Sequence, residues 1–569
     1  MKKPLPIGRD NFKDIRRNDF YYVDKTLLIQ ELLDKKGEVS LFTRPRRFGK
    51  TLNLSMLRYY FEDTKDEEEN QQNRKLFSGL AIGAAGEQYR REQCQYPVIM
   101  VTLKSAKQPT YENAMHCLQE TLADEYARHE AQVEGNLKSQ ADWEKYMRIR
   151  ERKGTEQDYL TCLAFLSKCL KEAYQKNCII LIDEYDVPMG NAYFHGFYGQ
   201  MADFIRSLFE SALKTNPCLA FAVITGCLRI SKESIFTGLN NLRVYSILNG
   251  NYSGYFGFVE REVKEMLAHY GRAGNLQTVK DWYDGYCFGE TEVYNPWSIL
   301  NHMEDVVSDQ DALPVSYWAN TSSNSIVRDL VDKLDGGGLL KEELERLMNG
   351  GTVEKPVHEE LTYDSIYDNQ ENLWNFLFFT GYLKKISVRL EGEEQYLTMA
   401  IPNREVSYIY KNSIRLWLDK KQEGFHMLPL YAAIEEGDTE KIEEEVSKFL
   451  EETISYFDYG ESYYHGFLAG LLKRNGKYRI QSNRETGRGR ADLILKTPKV
   501  RNGRAVVLEL KVVKRFQEME KGCREALRQI EEKKYKDALR QEGYEDILAY
   551  GICFYQKECM VQMPLDGRN

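Results

Sequence analysis

Short apolar runs alternate with amphipathic segments over roughly the first 255 residues of the chain. The apolar runs have the length of buried strands, and they lie at 39–43, 97–103, 178–183, 219–225 and 244–248. The segments between them repeat apolar residues at helical spacing, at 51–61, 112–128 and 158–174. Strands that alternate with helices predict a parallel α/β sheet. Residues 131–154 are polar and charged, so we expect an insertion or a flexible loop there.

Residues 256–425 have a mixed pattern. Two turn-rich aromatic motifs, Trp282-Tyr283-Asp284-Gly285-Tyr286 and Tyr294-Asn295-Pro296-Trp297-Ser298, precede a glycine run at 336–338 that predicts a break. An apolar helix is predicted at 373–379, and strand patterns follow it on both sides of the acidic turn at 391–394. A helix that runs into a hairpin is typical of a winged-helix module. We therefore expect a helical and winged-helix-like middle domain.

The segment 426–455 is acidic and helical in pattern, which predicts a solvated linker or a solvated helix face. After it, strand patterns at 490–495 and 505–513 are joined by a short polar connection, which suggests a hairpin. The predicted domains are therefore an α/β domain at 1–255, a middle domain at 256–425, the linker, and a separate α/β domain at 456–569.

The composition agrees with several folded domains and excludes some classes of protein. Of the 569 residues, 42% are hydrophobic and 29% are charged, which is ordinary for a globular protein and too apolar for a mostly disordered one. No apolar run has the length of a membrane span or a secretory signal, so we expect a cytoplasmic protein without membrane contact. The eleven cysteines form no Cys-x-x-Cys pair and the eight histidines are scattered. Free thiols are expected, rather than a disulfide framework, a zinc ribbon or a histidine-based metal site.

A candidate phosphate loop lies between the first strand and the helix after it. Gly49-Lys50-Thr51 matches the end of the G-x-x-x-x-G-K-[ST] template, whereas Arg44 stands where the template has its first glycine. Backbone N–H groups at a helix N-terminus bind phosphate oxygens, Lys50 is expected to reach the β and γ phosphates of ATP, and Thr51 is expected to bind Mg²⁺. The alternative is a basic turn that caps a helix. The residues predicted to contact the nucleotide here are Arg46, Arg47, Phe48, Gly49, Lys50 and Thr51.

Two later strands end in polar residues that suit ATP hydrolysis. Asp183 and Glu184 end a buried strand, where Asp183 is predicted to hold Mg²⁺ and Glu184 to polarise the attacking water. Thr225 ends the next strand and is predicted to sense the γ phosphate. Arg229 and Arg243 are candidates for a trigger arginine, although a surface or salt-bridged arginine is the alternative for each. A trigger arginine that acts across subunits would require a homo-oligomer.

Two neighbouring strand patterns in the last domain carry a second set of polar residues. Glu509 and Lys511 are two residues apart and share one face of an otherwise apolar strand, and Asp492 lies on the neighbouring strand. Two carboxylates can hold Mg²⁺ or Mn²⁺, and a lysine beside them can orient a water or neutralise developing charge. This arrangement suits hydrolysis of a phosphodiester, and edge-strand ion pairs are the alternative. Further candidates around this site are Glu461, Glu485, Gln529 and Tyr535.

The net charge is distributed unevenly along the chain. The 78 Lys and Arg against 87 Asp and Glu give a net −9, which excludes a uniformly basic nucleic-acid binder. From Lys473 to Arg515, however, 14 Lys and Arg stand against three acids, a net +11. Neutralising phosphates releases counterions, so this basic segment predicts salt-dependent binding of nucleic acid beside the metal site. A solvated basic face is the alternative.

Taken together, these motifs resemble bacterial proteins that join an AAA-ATPase-like domain to a nuclease domain of the PD-(D/E)XK superfamily. The resemblance covers nearly the whole chain, and the arginine at position 44 is similar to the pattern of that family. Its marks outside the phosphate loop and the two aromatic motifs are Tyr22-Val23-Asp24-Lys25-Thr26, Leu181-Ile182-Asp183-Glu184-Tyr185-Asp186, Tyr317-Trp318, Ile401-Pro402-Asn403, Asp492, Glu509-Leu510-Lys511 and Gln529-Ile530.

The resemblance implies a P-loop NTPase sheet, a winged-helix-like middle and a C-terminal nuclease fold. We therefore expect that ATP hydrolysis, with Glu184 positioning the attacking water, controls a metal-dependent nuclease. That nuclease would use Asp492, Glu509, Lys511 and Gln529 on DNA rather than RNA. Defence against mobile elements or phages is the setting that analogy suggests. The alternative is a nucleotide-dependent switch or scaffold that binds nucleic acid or a partner without cutting it.

Overall fold

A computed structural model of the chain describes residues 2–229, 235–236, 238–318, 327, 338–359, 370–422, 428–453, 461–472, 478–486, 489–500 and 503–564. The chain forms two compact units. The first comprises Met1–Asp332 and Glu345–Ser413, and the second comprises Lys333–Leu344 and Ile414–Asn569.

A five-stranded parallel sheet is the centre of the first unit. In sheet order, β2 is followed by β3, β4, β1 and β5. The strands β1 and β3 are buried along their whole length, which is why the sequence shows them as continuous apolar runs. Because β4 lies between β1 and β3, the carboxyl ends of these three strands meet at one edge of the sheet. The strands are β1 (Val39–Thr43), β2 (Val98–Thr102), β3 (Cys178–Asp183), β4 (Leu219–Gly226) and β5 (Leu242–Tyr245).

Helices connect these strands, and several begin at polar capping residues. The side chains of Asp66, Thr110 and Ser139 each accept a backbone N–H from the first turn of the helix that follows. The helices are α1 (Phe12–Arg17), α2 (Leu27–Lys35), α3 (Lys50–Phe61), α4 (Glu67–Leu76), α5 (Glu87–Arg90), α6 (Tyr111–Val133), α7 (Gln140–Arg150), α8 (Glu156–Leu160), α9 (Cys162–Tyr174), α10 (Val187–His195) and α11 (Tyr198–Leu213).

The segment 131–154, where the sequence predicts an insertion or a flexible loop, is largely helical. Helix α6 continues to Val133 and α7 follows it. Tyr146 and Ile149 of α7 are fully buried, and the Tyr146 hydroxyl donates to the carbonyl oxygen of Tyr126 at 2.5 Å. The loop prediction is therefore wrong, because two well-placed apolar residues are enough to anchor an otherwise charged helix.

The later part of the first unit combines helices with two small antiparallel sheets. One sheet pairs β6 with β7, and the other has the order β8-β10-β9. Helix α16 runs into the β9–β10 hairpin, as the sequence predicts for a winged-helix-like middle. The elements between residues 260 and 422 are α12 (Glu260–His269), α13 (Leu276–Tyr283), β6 (Tyr286–Phe288), β7 (Thr291–Val293), α14 (Pro296–Ser308), α15 (Gly338–Met348), β8 (Val353–Pro356), α16 (Gln370–Phe379), β9 (Lys384–Glu391), β10 (Glu394–Ala400) and α17 (Arg404–Gln422). Residues 338–344 of α15 and 414–422 of α17 are assigned to the second unit.

A mixed five-stranded sheet in the order β11-β12-β13-β14-β15 is the centre of the second unit. The strands β13 and β14 pair in parallel and two helices connect them, whereas the other neighbours pair antiparallel. The elements are α18 (Leu428–Glu436), α19 (Thr439–Thr453), α20 (Glu461–Leu471), β11 (Arg479–Thr486), β12 (Gly489–Lys496), β13 (Arg504–Val512), α21 (Met519–Glu532), α22 (Tyr535–Gln541), β14 (Asp546–Tyr555) and β15 (Glu558–Gln562).

The acidic segment that the sequence predicts to be a solvated linker belongs to the core of this second unit. It forms α18 and α19, and the side chains of Leu430, Val446 and Leu450 are buried in one cluster with Leu508 of β13. The linker prediction is wrong for residues 428–453. The acids occupy the outer faces of amphipathic helices, whose apolar faces pack inward.

The cysteines agree with the prediction of free thiols. All eleven are unpaired, and burial raises the pKa of the Cys162 thiol to about 12, which makes it unreactive at neutral pH. Within the part of the chain that the structure describes, no helix is both long enough and apolar enough to cross a membrane.

Candidate functional site

Three residues that the sequence predicts for the nucleotide site meet at the carboxyl edge of the first sheet. Thr51 Oγ1 donates to Asp183 Oδ2 at 2.6 Å, and Thr225 Oγ1 donates to the other carboxylate oxygen of Asp183. Asp183 and Thr225 are buried. Two hydroxyls, one from the start of α3 and one from β4, therefore fix the carboxylate at the end of β3.

The loop at 44–49, between β1 and α3, is closed on itself by Lys50. The Lys50 Nζ donates to the carbonyl oxygens of Arg44 and Pro45, both at 2.9 Å. Arg47 and Gly49 adopt left-handed conformations, with φ of 69° and 82°. The positive-φ turns thus fall late in the loop, and the loop curls around Lys50 without a glycine at its first position.

Arg44 is a buried structural residue of this loop. Its Nη1 donates to the carbonyl oxygens of Thr43 at 2.9 Å and Tyr245 at 2.6 Å. The guanidinium carbon also lies 5.2 Å from the ring centroid of Phe256 and 5.1 Å from that of Phe288. Burial lowers the pKa of the Arg44 guanidinium to about 9. Arg44 thereby ties the start of the loop to β5, whereas the side chains of Arg46 and Arg47 are exposed.

Glu184 follows β3 in a left-handed conformation with φ of 52°. Burial raises the pKa of Glu184, the neighbouring Asp183 carboxylate raises it further, and Lys50 and Lys104 act in the opposite direction. A carboxylate with a raised pKa beside a strand end is suited to accept a proton. A left-handed conformation is strained for a residue other than glycine, and such strain is often found at functional positions.

The two candidate trigger arginines lie at opposite edges of the first sheet. Arg243 is paired in register with Ser40, near the amino end of β1, and its Nη1 donates to the carbonyl oxygen of Lys35 at 3.3 Å. It therefore lies away from the 44–49 loop of its own chain. Arg229 follows β4 at the carboxyl edge of the sheet and forms an ion pair with Glu359 at 3.5 Å.

Asp186 is a positioning residue that the sequence analysis did not assign. Its Oδ2 accepts the backbone N–H groups of Cys227 at 2.9 Å and Leu228 at 3.2 Å. These bonds fix the turn that leads from β4 to Arg229. The signal in the sequence was a third carboxylate, three residues after Asp183, in a segment that is buried apart from Glu184.

The second unit brings Asp492, Glu509 and Gln529 together. The Asp492 backbone N–H donates to Glu509 Oε2 at 3.4 Å, and the Leu510 N–H donates to Asp492 Oδ2 at 2.9 Å. Gln529 Nε2 donates to the other carboxylate oxygen of Glu509, which is fully buried. Two adjacent strands and α21 thus hold two carboxylates beside each other. Lys511 lies two residues after Glu509 on β13, on the same side of the strand.

Two glycines that the sequence analysis did not single out allow α21 to lie close to β14. A Cβ added at Gly551 would be 2.5 Å from the carbonyl oxygen of Cys523, and one added at Gly522 would be 2.4 Å from Cys553 Sγ. Gly551 is paired with Glu509 in the sheet. The close approach of helix and strand is what brings Gln529 within reach of Glu509.

The structure describes the side chains of only some of the remaining residues considered for the nuclease site. His465, on α20, places Nε2 2.7 Å from the backbone carbonyl oxygen of Asp492. Tyr535 is buried, and burial, followed by the Glu509 carboxylate, raises its pKa. The side chains of Glu461 and Glu485 lie outside the described residues. Among the side chains that are described, no group of three or more His, Cys, Asp and Glu is placed to hold a metal ion.

Comparison with known proteins agrees with this division into two sites. Residues 6–236 match a family described as predicted AAA-ATPase, and residues 459–563 match the PD-(D/E)XK nuclease superfamily. The chain is also 25% identical, over 411 residues, to an uncharacterized protein in the vnfD 5′ region of Azotobacter chroococcum mcd 1, across 71% of this chain and 68% of that protein. Two separate segments of the chain thus match domain families, the first an AAA-ATPase-like family and the second the PD-(D/E)XK nuclease superfamily.

Proposed function

We propose that this protein binds and hydrolyses ATP and that the nucleotide controls a metal-dependent nuclease in its C-terminal domain. The observation that carries the proposal is the fully buried Glu509 carboxylate, beside Asp492 and held by Gln529. Two carboxylates held beside each other offer the oxygen ligands that Mg²⁺ prefers. A divalent cation shared by Asp492 and Glu509 would therefore fit this pair.

In the first unit, ATP would bind at the N-terminus of α3. Lys50 would exchange the carbonyl oxygens of Arg44 and Pro45 for the β and γ phosphate oxygens. The hydroxyl and carboxylate of Thr51 and Asp183 are the oxygen donors that Mg²⁺ prefers, and the cation would neutralise the charge of the triphosphate. Glu184 would accept a proton from the attacking water, and Thr225 would sense the γ phosphate through Asp183.

In the second unit, Asp492 and Glu509 would hold Mg²⁺ or Mn²⁺. The cation would act as a Lewis acid on the scissile phosphate. Lys511 would orient or deprotonate the attacking water, and Gln529 would keep the Glu509 carboxylate in place. DNA is the proposed substrate, and the basic segment from Lys473 to Arg515 would bind its backbone. We further propose that the protein acts in the cytoplasm, as a homo-oligomer if the trigger arginine comes from a neighbouring subunit.

The nuclease proposal is tested with plasmid and linear DNA. Wild-type protein and Lys511→Ala are incubated with Mg²⁺ or Mn²⁺, with and without ATP. We expect cleavage by the wild type that depends on the metal and changes with ATP, and at least about a hundredfold less cleavage by Lys511→Ala. Lys521→Ala, which changes an exposed lysine on α21, is the matched control and should cut like the wild type. Equal cleavage by Lys511→Ala and the wild type would contradict the proposal. No cleavage under any condition would favour the nucleotide-dependent switch instead.

The nucleotide proposal is tested by calorimetry with ATP and Mg²⁺. Lys50→Ala should lose measurable binding, because the ammonium group that would contact the phosphates is removed. Lys75→Ala, at an exposed position of α4, should bind ATP like the wild type. Retained affinity in Lys50→Ala would mean that the 44–49 loop does not bind the phosphates.

A further inference from the structure

The aromatic motifs of the middle segment pack directly on the 44–49 loop. Phe48 is fully buried, and its ring centroid lies 5.0 Å from that of Tyr286 and 5.2 Å from that of Phe288. The backbone N–H of Gly257 donates to the Phe48 carbonyl oxygen at 3.2 Å. The end of the loop is therefore held by residues beyond the parallel sheet.

Two further contacts hold Arg47 and Pro45 of the loop. The Arg47 guanidinium lies 4.4 Å from the ring centroid of Trp297, the tryptophan of the second aromatic motif. A cation–π contact of this kind is worth roughly 0.5–2 kcal/mol, and here it holds a residue in a strained left-handed conformation. Pro45 packs against Gly381, where an added Cβ would be 3.0 Å from Pro45 Cβ.

A buried carboxyl group connects these two contacts. Ser298, next to Trp297, places its hydroxyl 2.8 and 3.0 Å from the two carboxylate oxygens of Glu405. The backbone N–H of Trp318 donates to Glu405 Oε1 at 2.9 Å. The Trp318 ring in turn lies 4.9 Å from that of Tyr382, the residue after Gly381. Glu405 is fully buried. It is thus linked to Trp297 through Ser298, and to Gly381 through Trp318 and Tyr382.

We propose that Trp297 and Glu405 are positioning residues for the nucleotide site, which hold the 44–49 loop in its binding conformation and pass its nucleotide state to the middle segment. This inference rests on the proposed binding of ATP by that loop. When ATP binds, Lys50 must release the carbonyl oxygens of Arg44 and Pro45. Pro45 packs on Gly381 and Arg47 packs on Trp297, so these contacts keep the loop backbone in place during that release. They also connect the carbonyl groups that Lys50 releases to the middle segment.

The first test measures ATP binding and steady-state hydrolysis in Trp297 variants. Trp297→Ala removes the cation–π contact, so the Kd and KM for ATP should rise about 2- to 30-fold, in proportion to the energy of that contact. The kcat should change less than twofold, because Thr51, Asp183 and Glu184 are untouched. Trp143→Ala, which removes a tryptophan stacked on Tyr146 in α7, is the matched control and should leave KM unchanged.

The second test uses tryptophan emission as a direct readout of the loop. The wild type should change its emission when ATP is added, Trp297→Phe should lose most of that change, and Trp143→Phe should keep it. Because Trp297 is only partly buried, Trp297→Phe should fold normally, which an unchanged urea midpoint would verify.

The third test addresses Glu405 through a conservative pair of variants. Glu405→Gln keeps an oxygen that accepts the Trp318 N–H, so its KM for ATP should stay within about twofold of the wild type, whereas Glu405→Leu should raise KM severalfold. Unchanged KM in both Trp297→Ala and Glu405→Leu would overturn the inference while ATP binding by the wild type stands. A wild type that binds no ATP would instead overturn the proposed function, and this inference with it.

Discussion

At the scale of single residues, Arg44 shows how one substitution in a loop is accommodated. A glycine at the first position of a phosphate loop supplies a left-handed turn, and Arg44 cannot do so cheaply. The structure places that conformation at Arg47 and Gly49 and turns Arg44 inward, where its guanidinium caps two carbonyl oxygens and contacts two aromatic rings. The arginine thus has a structural task that glycine could not perform.

We therefore expect Arg44→Gly to destabilise the protein, although it restores the first glycine of the phosphate-loop template. The carbonyl oxygens of Thr43 and Tyr245 would lose their donor, and the contacts with two rings would be lost, at a total of about 2–4 kcal/mol in the free energy of unfolding. The measurement is urea unfolding followed by circular dichroism. Arg46→Gly, at an exposed position of the same loop, is the control and should change the free energy far less. An unchanged midpoint for Arg44→Gly would contradict this role.

A second prediction at the residue scale concerns Glu405 and the way the free energy of unfolding depends on pH. Burial raises the pKa of Glu405 from 4.5 to about 7, and hydrogen bonds from Trp318, Ser298 and Tyr317 act in the opposite direction. The folded state holds this proton more tightly than the unfolded chain. The free energy of unfolding should therefore fall as pH rises from about 4.5 to about 7, by up to about 3 kcal/mol from this group.

Glu405→Gln removes the titration and should flatten the stability profile in that range. The urea midpoint of the wild type and the variant is compared at about pH 5 and about pH 7.5. The same pH dependence in both proteins would show that Glu405 does not titrate in this window.

At the scale of elements, charge along a helix is a poor guide to whether the helix is buried. Helices α7 and α19 are rich in charged residues, yet each contributes fully buried apolar side chains to a core. In an amphipathic helix only one stripe faces inward, so a few apolar positions decide its packing. The segments predicted as a loop and as a linker were misjudged for this same reason.

Leu450→Ala tests whether α19 belongs to the core of the second unit. Leu450 is fully buried, and removing a buried leucine side chain should lower the free energy of unfolding by about 2–5 kcal/mol. Lys448→Ala, two residues away and exposed, is the control and should stay within about 0.5 kcal/mol. Equal and small effects of both changes, measured by urea unfolding, would mean that α19 is a solvated linker after all.

At the scale of the whole molecule, the chain separates opposite charges. The net charge of −9 for all 569 residues includes the +11 of the segment from Lys473 to Arg515, which runs through β11, β12 and β13 of the candidate nuclease. An acidic average is therefore compatible with a polyanion substrate, because only the charge near the site attracts it at physiological salt.

The affinity of the protein for duplex DNA should fall steeply with salt. With the non-cleaving Lys511→Ala variant and a labelled duplex, we expect Kd to rise on the order of 10²- to 10³-fold between about 50 and 200 mM salt. Arg479→Ala and Lys499→Ala, at exposed positions of the segment, should each reduce the slope by about 0.9. Arg540→Ala, outside the segment, should leave the slope unchanged, and binding that is insensitive to salt would exclude the proposed contact.

The local sequence pattern was sufficient to predict most of the strands and helices and the residue types of both candidate sites. All five strands of the first sheet were predicted within a few residues. The clearest were β1 and β3, because parallel strands buried on both faces are continuous apolar runs. Glu509 and Lys511 were predicted from their spacing, since residues two apart share a face of a strand, and Asp492 from its position on the neighbouring strand. Gly522, Gly551 and Asp186 were not predicted, because their importance depends on distant backbone that passes close to them.

The sequence by itself determined the order of strands and helices along the chain, which residues end the strands at the first candidate site and which polar residues lie within the strands of the second, since hydrophobic periodicity and turn residues are local properties. Only the tertiary structure decided that Arg44 is buried, that α18 and α19 belong to a core, and that the aromatic motifs of the middle segment hold the 44–49 loop. Each of these depends on contacts between residues far apart in the chain. No local pattern specifies which distant surface will cover a given side chain.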